Sequence, residues 1–362
     1  MGILGILAFS LLSFVTGADS VGAPQGADLL FVGDAMQHQA QLDRARELGG
    51  GKSYDYSDCF TLVAPDITEA DYAVCNLEVP LGGGPTYSGY PCFSAPDSYA
   101  QALKDAGFDM FLTANNHCLD RGDKGARNTL KALDRLGVDH VGTYADSAQR
   151  RELVPFIKDI RGIKVGFLAY TYGTNGIEPK DGAEVSLIDR RRIAEEIAAT
   201  RAAGAEILVV AMHWGVEYVL LPGNAQRDLA KFLVDNGVDI VLGGHPHVIQ
   251  PMEVVRNEKE GKDALVIYSL GNFISNMKTA DTRGGALVKA RIERGPDGKA
   301  RFKNAAYDTF FAQKPYGARG NFRVVPRKMS RLIPAGQKSH WEIFDRNARR
   351  IFDAHNVNVP SM

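Results

Sequence analysis

Cysteine is scarce in this chain, and what there is does not form a framework. Only Cys59, Cys75, Cys92 and Cys118 occur, with no Cys-x-x-Cys pair among them. That argues against a disulfide-stapled scaffold or a thiolate metal site, and no disulfide is expected. Cys75 lies in the apolar run AVC, where a small buried hydrophobe is the simpler reading. An excess of charge is also missing. Lys plus Arg number 42 against 43 Asp plus Glu, so no global field draws in nucleic acid or an anionic membrane. Nucleic acid is therefore not an expected partner, and any anion must be met by a local site. No 20–50-residue repeat appears, which excludes a solenoid.

Long apolar runs are lacking too. Residues 3–15 are mostly apolar and are followed by the small-residue stretch TGADSVGA. The run is too short for a membrane span, which takes about 20 residues. It fits the core of a secretory signal peptide, although no Lys or Arg precedes it. We expect an exported chain, periplasmic or associated with the cell envelope, with residues 1–25 as the signal.

What the sequence does contain is alternation. Apolar runs of strand length (29–32, 72–75, 109–114, 164–170, 206–214, 264–273) are interleaved with helical patterns at 124–136, 187–203 and 225–236. This is the signature of a layered α/β fold. Residues 26–290 are expected to form one domain. Beyond them, residues 291–362 carry a hairpin centred on Pro296-Asp297-Gly298 and a helix over 338–355, packed on the main domain.

The polar residues with chemical potential share one position in that pattern. Asp34, Glu78, Asn116, His117, His213, His245 and His247 each fall just after an apolar strand, the edge where open α/β sheets bind ligands. His245 and His247 are two residues apart, so on an extended segment they face the same way. Gly243 and Gly244 allow close backbone approach. Any one of these histidines alone reads as a core residue satisfied by a carbonyl. Taken as a set with two carboxylates, they read as a centre for divalent metal.

Six blocks carry a further likeness: GDAM, NLEVPL, TANNHCLDRG, HWGVEY, GGHPHVIQPME and YSLGNF. In order and spacing, over residues 28–285, they resemble the capsule synthesis CapA family. That family is named for poly-γ-glutamate capsule production and sits within the calcineurin-like metallophosphoesterase superfamily. The resemblance implies a four-layer α/β/β/α sandwich and two divalent ions (Mn, Zn or Fe) about 3.5–4 Å apart. It implies Asp34 and His247 on the first ion, Glu78 bridging, and Asn116, His213 and His245 on the second. His117 would be a general acid. Asp120 either orients His117 or caps the following helix. Two departures from the superfamily pattern stand out: Met36 occupies a usual histidine position, with His38 as a conceivable substitute, and Glu78 replaces an aspartate.

The function implied is capsule biosynthesis, with a metal-dependent hydrolase site acting on an anionic envelope polymer such as poly-γ-glutamate. A general phosphomonoesterase or phosphodiesterase acting on a phosphoester, and a non-catalytic accessory or scaffold protein of a capsule assembly complex, are the other readings. Arg121, Glu217, Tyr218, Asn272 and the loop 82–93 are lesser candidates around the pocket.

Overall fold

The computed structural model describes residues 26–317 and 320–362. The expected signal segment lies outside them. Among the described residues no helix is long and apolar enough to cross a membrane.

Two sheets account for most strands. In the first, eight-stranded sheet, Gly26–Ala35 sits at the centre. On one side it pairs in parallel with Tyr72–Leu77, then Met110–Leu112 and Asp139–Val141. On the other side it pairs antiparallel with Gly284–Arg294, followed by Ala300–Gln313 and Arg323–Pro326. The second, six-stranded sheet has a parallel core of Ile163–Thr171, Ile207–His213, Ile240–Gly244 and Lys262–Ile267. Antiparallel edges, Phe156–Ile160 and Met252–Asn257, close it on both sides.

Three apolar clusters define four layers. Leu29, Phe31 and Val74 of the first sheet meet Phe167, Val209 and Leu242 of the second, forming the inner core. Alternate residues of the first sheet, Leu30, Val32 and Cys75, face the helices Asp97–Asp105 and Gly122–Leu136 through Tyr99, Leu103 and Leu133. The outer face of the second sheet, with Leu168, Leu208 and Val241, packs on Arg190–Ala202 and Asn224–Asp235. The period-two alternation within each strand is what splits these clusters. The result is the expected α/β/β/α sandwich.

Boundaries differ from the sequence reading where a local group intervenes. The helix expected from residue 187 begins at Arg190, because Asp189 caps it by accepting from the Arg192 N–H. The apolar segment 264–273 is not one element. Lys262–Ile267 belongs to the second sheet, while Asn272–Ile274 pairs with Gly26–Ala35 in the first. Gly271, at φ 69°, lets the chain pass between the sheets. The hairpin forms as expected, but Gly284–Arg294 carries the main sheet through residue 290 without a break. The last helix, Ala335–His355, sets Trp341, Phe344, Ala348 and Phe352 against the inner core.

Candidate metal centre

The parallel strands of both sheets end at a common edge, and there the expected residues meet. The first sheet supplies oxygen ligands: Asp34 closes its central strand, Glu78 follows Tyr72–Leu77, and Asn116 follows Met110–Leu112. The second sheet supplies imidazoles: His213 ends its strand, and His245 and His247 follow Ile240–Gly244. All six are buried.

Glycines make the convergence possible. A Cβ on Gly33 would lie 1.9 Å from the Gly271 carbonyl oxygen, and one on Gly243 would lie 1.9 Å from that of Tyr268. Gly244 faces Asp34 across the gap between sheets, where a Cβ would come within 2.9 Å of Oδ1. The chain then turns through left-handed backbone at His245 (φ 96°) and His247 (φ 56°). Non-glycine residues hold such conformations at an energetic cost, and they cluster at functional sites.

Ligand atoms fall into two groups, Asp34–Glu78–His213 and Glu78–His245–His247, each within 4.8 Å. Glu78 is common to both. Its Oε1 is fully buried without a hydrogen-bond partner, 3.5 Å from His213 Nε2 and 3.8 Å from His247 Nε2. The Nδ1 of His245 is likewise buried and unpartnered. Orphaned buried polar atoms are costly and call for a missing partner. This mixed oxygen and imidazole donor set fits Zn, Mn or Fe. The grouping differs from the expected one in setting His213, rather than His247, beside Asp34 and Glu78. His247 nonetheless touches Asp34 directly, Nδ1 to Oδ2 at 3.2 Å, and His213 Nε2 meets Asn116 Oδ1 at 2.9 Å.

The electrostatics follow from burial and proximity. Burial opposes ionisation of Asp34, but the hydrogen bond and charge of His247, with His213 and Asn76, hold its carboxyl far below the usual range. Burial and the Asp34 charge push Glu78 well up. Burial lowers His213 and His245 to about 3, which leaves neutral imidazoles with free lone pairs. Burial also works against protonation of His247, yet Glu78 and Asp34 raise it to about 9. The proton on His247 thus offsets anionic charge that a cation would otherwise neutralise.

A directed chain of amides supports the centre. Asn76 Nδ2 donates to Asp34 Oδ1 (2.8 Å), Asn115 Nδ2 donates to Asn76 Oδ1 (3.2 Å), and the His117 N–H donates to Asn115 Oδ1 (3.2 Å). Asn272 accepts at His247 Nδ1 through Oδ1 (3.0 Å). Strand register explains two of these, because Asn76 and Asn272 are the Cα partners of Asp34 on its two sides. Asn76, Asn115 and Asn175 were not singled out from the sequence. Asn175 accepts from Asn116 Nδ2 at 3.2 Å. Asn76 could have been found, since it stands near the end of the strand that leads into Glu78, two residues before it, a spacing that sets both on one side of an extended run.

His117 lies beside the centre, with Nδ1 2.8 Å from Asp120 Oδ2. Asp120 also accepts the Phe93 N–H at 2.7 Å, and the following helix has Arg121 at its N-cap with no side-chain cap. Asp120 therefore engages His117 rather than capping the helix. Met36 is buried in the apolar cluster on the helix side, away from the ligands. His38 accepts from the Asn276 N–H and belongs to neither ligand group. Arg121 is taken up by the 82–93 loop, donating to the carbonyls of Phe93 (3.1 Å) and Cys92 (2.6 Å). Two half-exposed tyrosines border the histidines, Tyr172 with its ring 4.6 Å from that of His245 and Tyr218 at 6.3 Å from His247.

The chain is similar to several known proteins. Among solved structures the chain has a distant likeness to the NAD nucleotidase of Haemophilus influenzae, with TM-score 0.47, 12% identity, and 89% of this chain and 62% of that one covered. The capsule biosynthesis protein CapA of Bacillus anthracis is 30% identical over 274 residues, 73% of this chain and 63% of that protein. The PGA biosynthesis protein CapA of Bacillus subtilis is 29% identical over 282 residues, covering 77% and 70%. A probable polyglutamine synthesis accessory protein of Mycobacterium tuberculosis is 28% identical over 225 residues, covering 58% and 57%. The match thus spans somewhat less than two thirds of the Bacillus anthracis relative. Residues 28–277, which hold every residue of the centre, match the model for the bacterial capsule synthesis protein PGA_cap. With that match running over most of its length, the chain belongs to the bacterial capsule synthesis protein family.

Proposed function

We propose that this chain is an exported, metal-dependent hydrolase that acts on an anionic envelope polymer of the poly-γ-glutamate type during capsule synthesis. The observation that carries the reading is Glu78, whose buried and unpartnered Oε1 is shared by both ligand groups. Asn76 Nδ2 donates to the other oxygen, Oε2 (3.3 Å), so Oε1 is the buried acceptor left for a positive charge to meet. Asp34, Glu78, Asn116, His213, His245 and His247 would hold two divalent cations, with Glu78 common to both ligand groups. Such cations supply Lewis acidity and lower the pKa of water to about 7.

The protein's own groups do the rest. Asp120 accepts at His117 Nδ1 and fixes the ring, which leaves Nε2 as the nitrogen to hand a proton to the departing group. Water adds through oxygen to the carbonyl or phosphoryl centre, the C–N or P–O bond to the leaving group breaks, the His117 proton passes to the leaving nitrogen or oxygen, and the proton given up by water restores His117. The buried amides hold the ligands in place. The apolar run at residues 3–15 supports export, and the names of the relatives support the polymer.

The test is turnover by the purified chain loaded with Mn²⁺ or Zn²⁺, offered poly-γ-glutamate, a phosphodiester and a phosphomonoester in parallel. Cleavage of poly-γ-glutamate, lost in His117→Asn, is the expected result. Turnover of phosphoesters alone would reassign the site as a phosphoesterase. Polymer binding without turnover of anything would make the chain an accessory protein, as the Mycobacterium tuberculosis relative is named.

A further inference from the structure

Beside His247 the fold gathers three cations that lack a carboxylate. Asn272, which accepts at His247, also donates through Nδ2 to the Thr282 carbonyl at 2.9 Å. This ties the loop 275–283 to the centre. The loop carries Lys278 and Arg283. Arg283 accepts the Ala312 N–H at its carbonyl (2.7 Å) and returns a guanidinium bond to the Ala312 carbonyl (3.2 Å), which brings in Lys314 two residues on. Gln337 of the last helix fixes the group. It accepts the Lys314 N–H (2.9 Å), donates to the Lys314 carbonyl (3.0 Å) and accepts from Arg283.

Among the described residues none of the three cations forms an ion pair. Arg283 is only 3% exposed, stacks 4.5 Å over the Phe311 ring, and leaves Nε without a partner. Burial with no acid to offset it draws its guanidinium down to about 10. The one carboxylate on the loop, Asp281, is engaged by Asn347. Lys314 is depressed by burial and by the charges of Arg283 and Lys278. In a chain whose net charge is −1, cations gathered at one rim with no ion pair among them favour an external anion.

We propose that Lys278 and Lys314, backed by the buried Arg283, form an anion subsite flanking the metal centre, which takes a carboxylate of an extended polycarboxylate chain. Exposed Lys278 and part-buried Lys314 make the contact, while Arg283 adds fixed positive charge from beneath. The subsite rests on the reading of the centre as the place where such a chain is processed.

Binding of a labelled oligo-γ-glutamate, followed by anisotropy, tests it, with inorganic polyphosphate as the second probe. The Lys278→Ala/Lys314→Ala variant should bind oligo-γ-glutamate about tenfold more weakly, with a shallower salt dependence and unchanged metal content. Gln337→Ala should weaken binding in the same direction. Unchanged affinity in both variants, no binding by the wild-type chain, or binding of polyphosphate alone overturns the proposal. Weakened binding in the variants, together with a wild-type protein that binds but hydrolyses nothing, would retain the subsite and discard the hydrolase. Hydrolysis with unaltered affinity in the lysine variants would do the reverse.

Discussion

Asn76 lies in an ordinary parallel strand, yet its amide fixes both carboxylates, reaching Asp34 at 2.8 Å and Glu78 at 3.3 Å. Asn76→Ala should therefore lower metal affinity by about 10–100-fold, the range for groups that orient ligands, as read by competition with a chromogenic chelator. Gly244→Ala sets a methyl 2.9 Å from Asp34 Oδ1. It should likewise reduce metal content while the circular dichroism spectrum is retained. Asp120→Asn keeps the shape of its residue but replaces the carboxylate that accepts at His117 Nδ1. Its kcat should fall by about 10²–10⁴, with metal stoichiometry unchanged. A fall in metal content instead would show that Asp120 acts through the ligands. The residues at this scale that the sequence left hidden are amides. One asparagine beside a strand end is indistinguishable from any other until register pairs it with Asp34 and polarity orders Asn115 behind it.

Elements were legible where burial on both faces makes a strand continuously apolar, as in Ile207–His213 and Ile240–Gly244. The same apolar strands, ending in Asp, Asn or His, exposed the candidate centre. Gln39–Leu48 was not legible, since it buries only Gln41, Leu42 and Ala45 and otherwise faces solvent. Arg323–Pro326 is short and sits at a sheet edge. The passage of residues 268–271 between sheets depends on a long-range pairing that no local pattern records. The last helix offers a test at this scale. Phe344 is 1% exposed, packs near the rings of Trp341 and Phe311, and closes against Gly284. Phe344→Ala should cost about 3–5 kcal/mol of stability in denaturant unfolding. A loss below about 1 kcal/mol would mean the helix is peripheral to the core.

For the molecule as a whole, the buried histidines link stability to pH. His213 and His245, lowered to about 3, and His38, lowered to about 4, stay neutral in the fold while the unfolded chain takes up protons below about 6.5. Their effect makes stability of the metal-free protein rise with pH across that window. Glu78, raised by burial, works in the opposite sense as pH climbs past its ordinary value, one group against three. His247, raised to about 9, stabilises fully below about 6.5 and loses that contribution as pH rises through 9. The metal-free protein should thus melt highest near neutrality. If metal takes the place of the His247 proton, the alkaline decline should vanish in the loaded protein. A flat melting profile from pH 4 to 9 without metal would contradict this assignment.

The division of ligands between sheets has a kinetic consequence. Asp34, Glu78 and Asn116 belong to one sheet and the three histidines to the other, so neither half alone can chelate an ion tightly. Capture must then wait until the inner core has closed, and an ion cannot template the chain on its way to the native state. Manganese or zinc added during refolding should leave the folding rate untouched and slow unfolding in proportion to affinity, so that the ion acts as a latch rather than a seed.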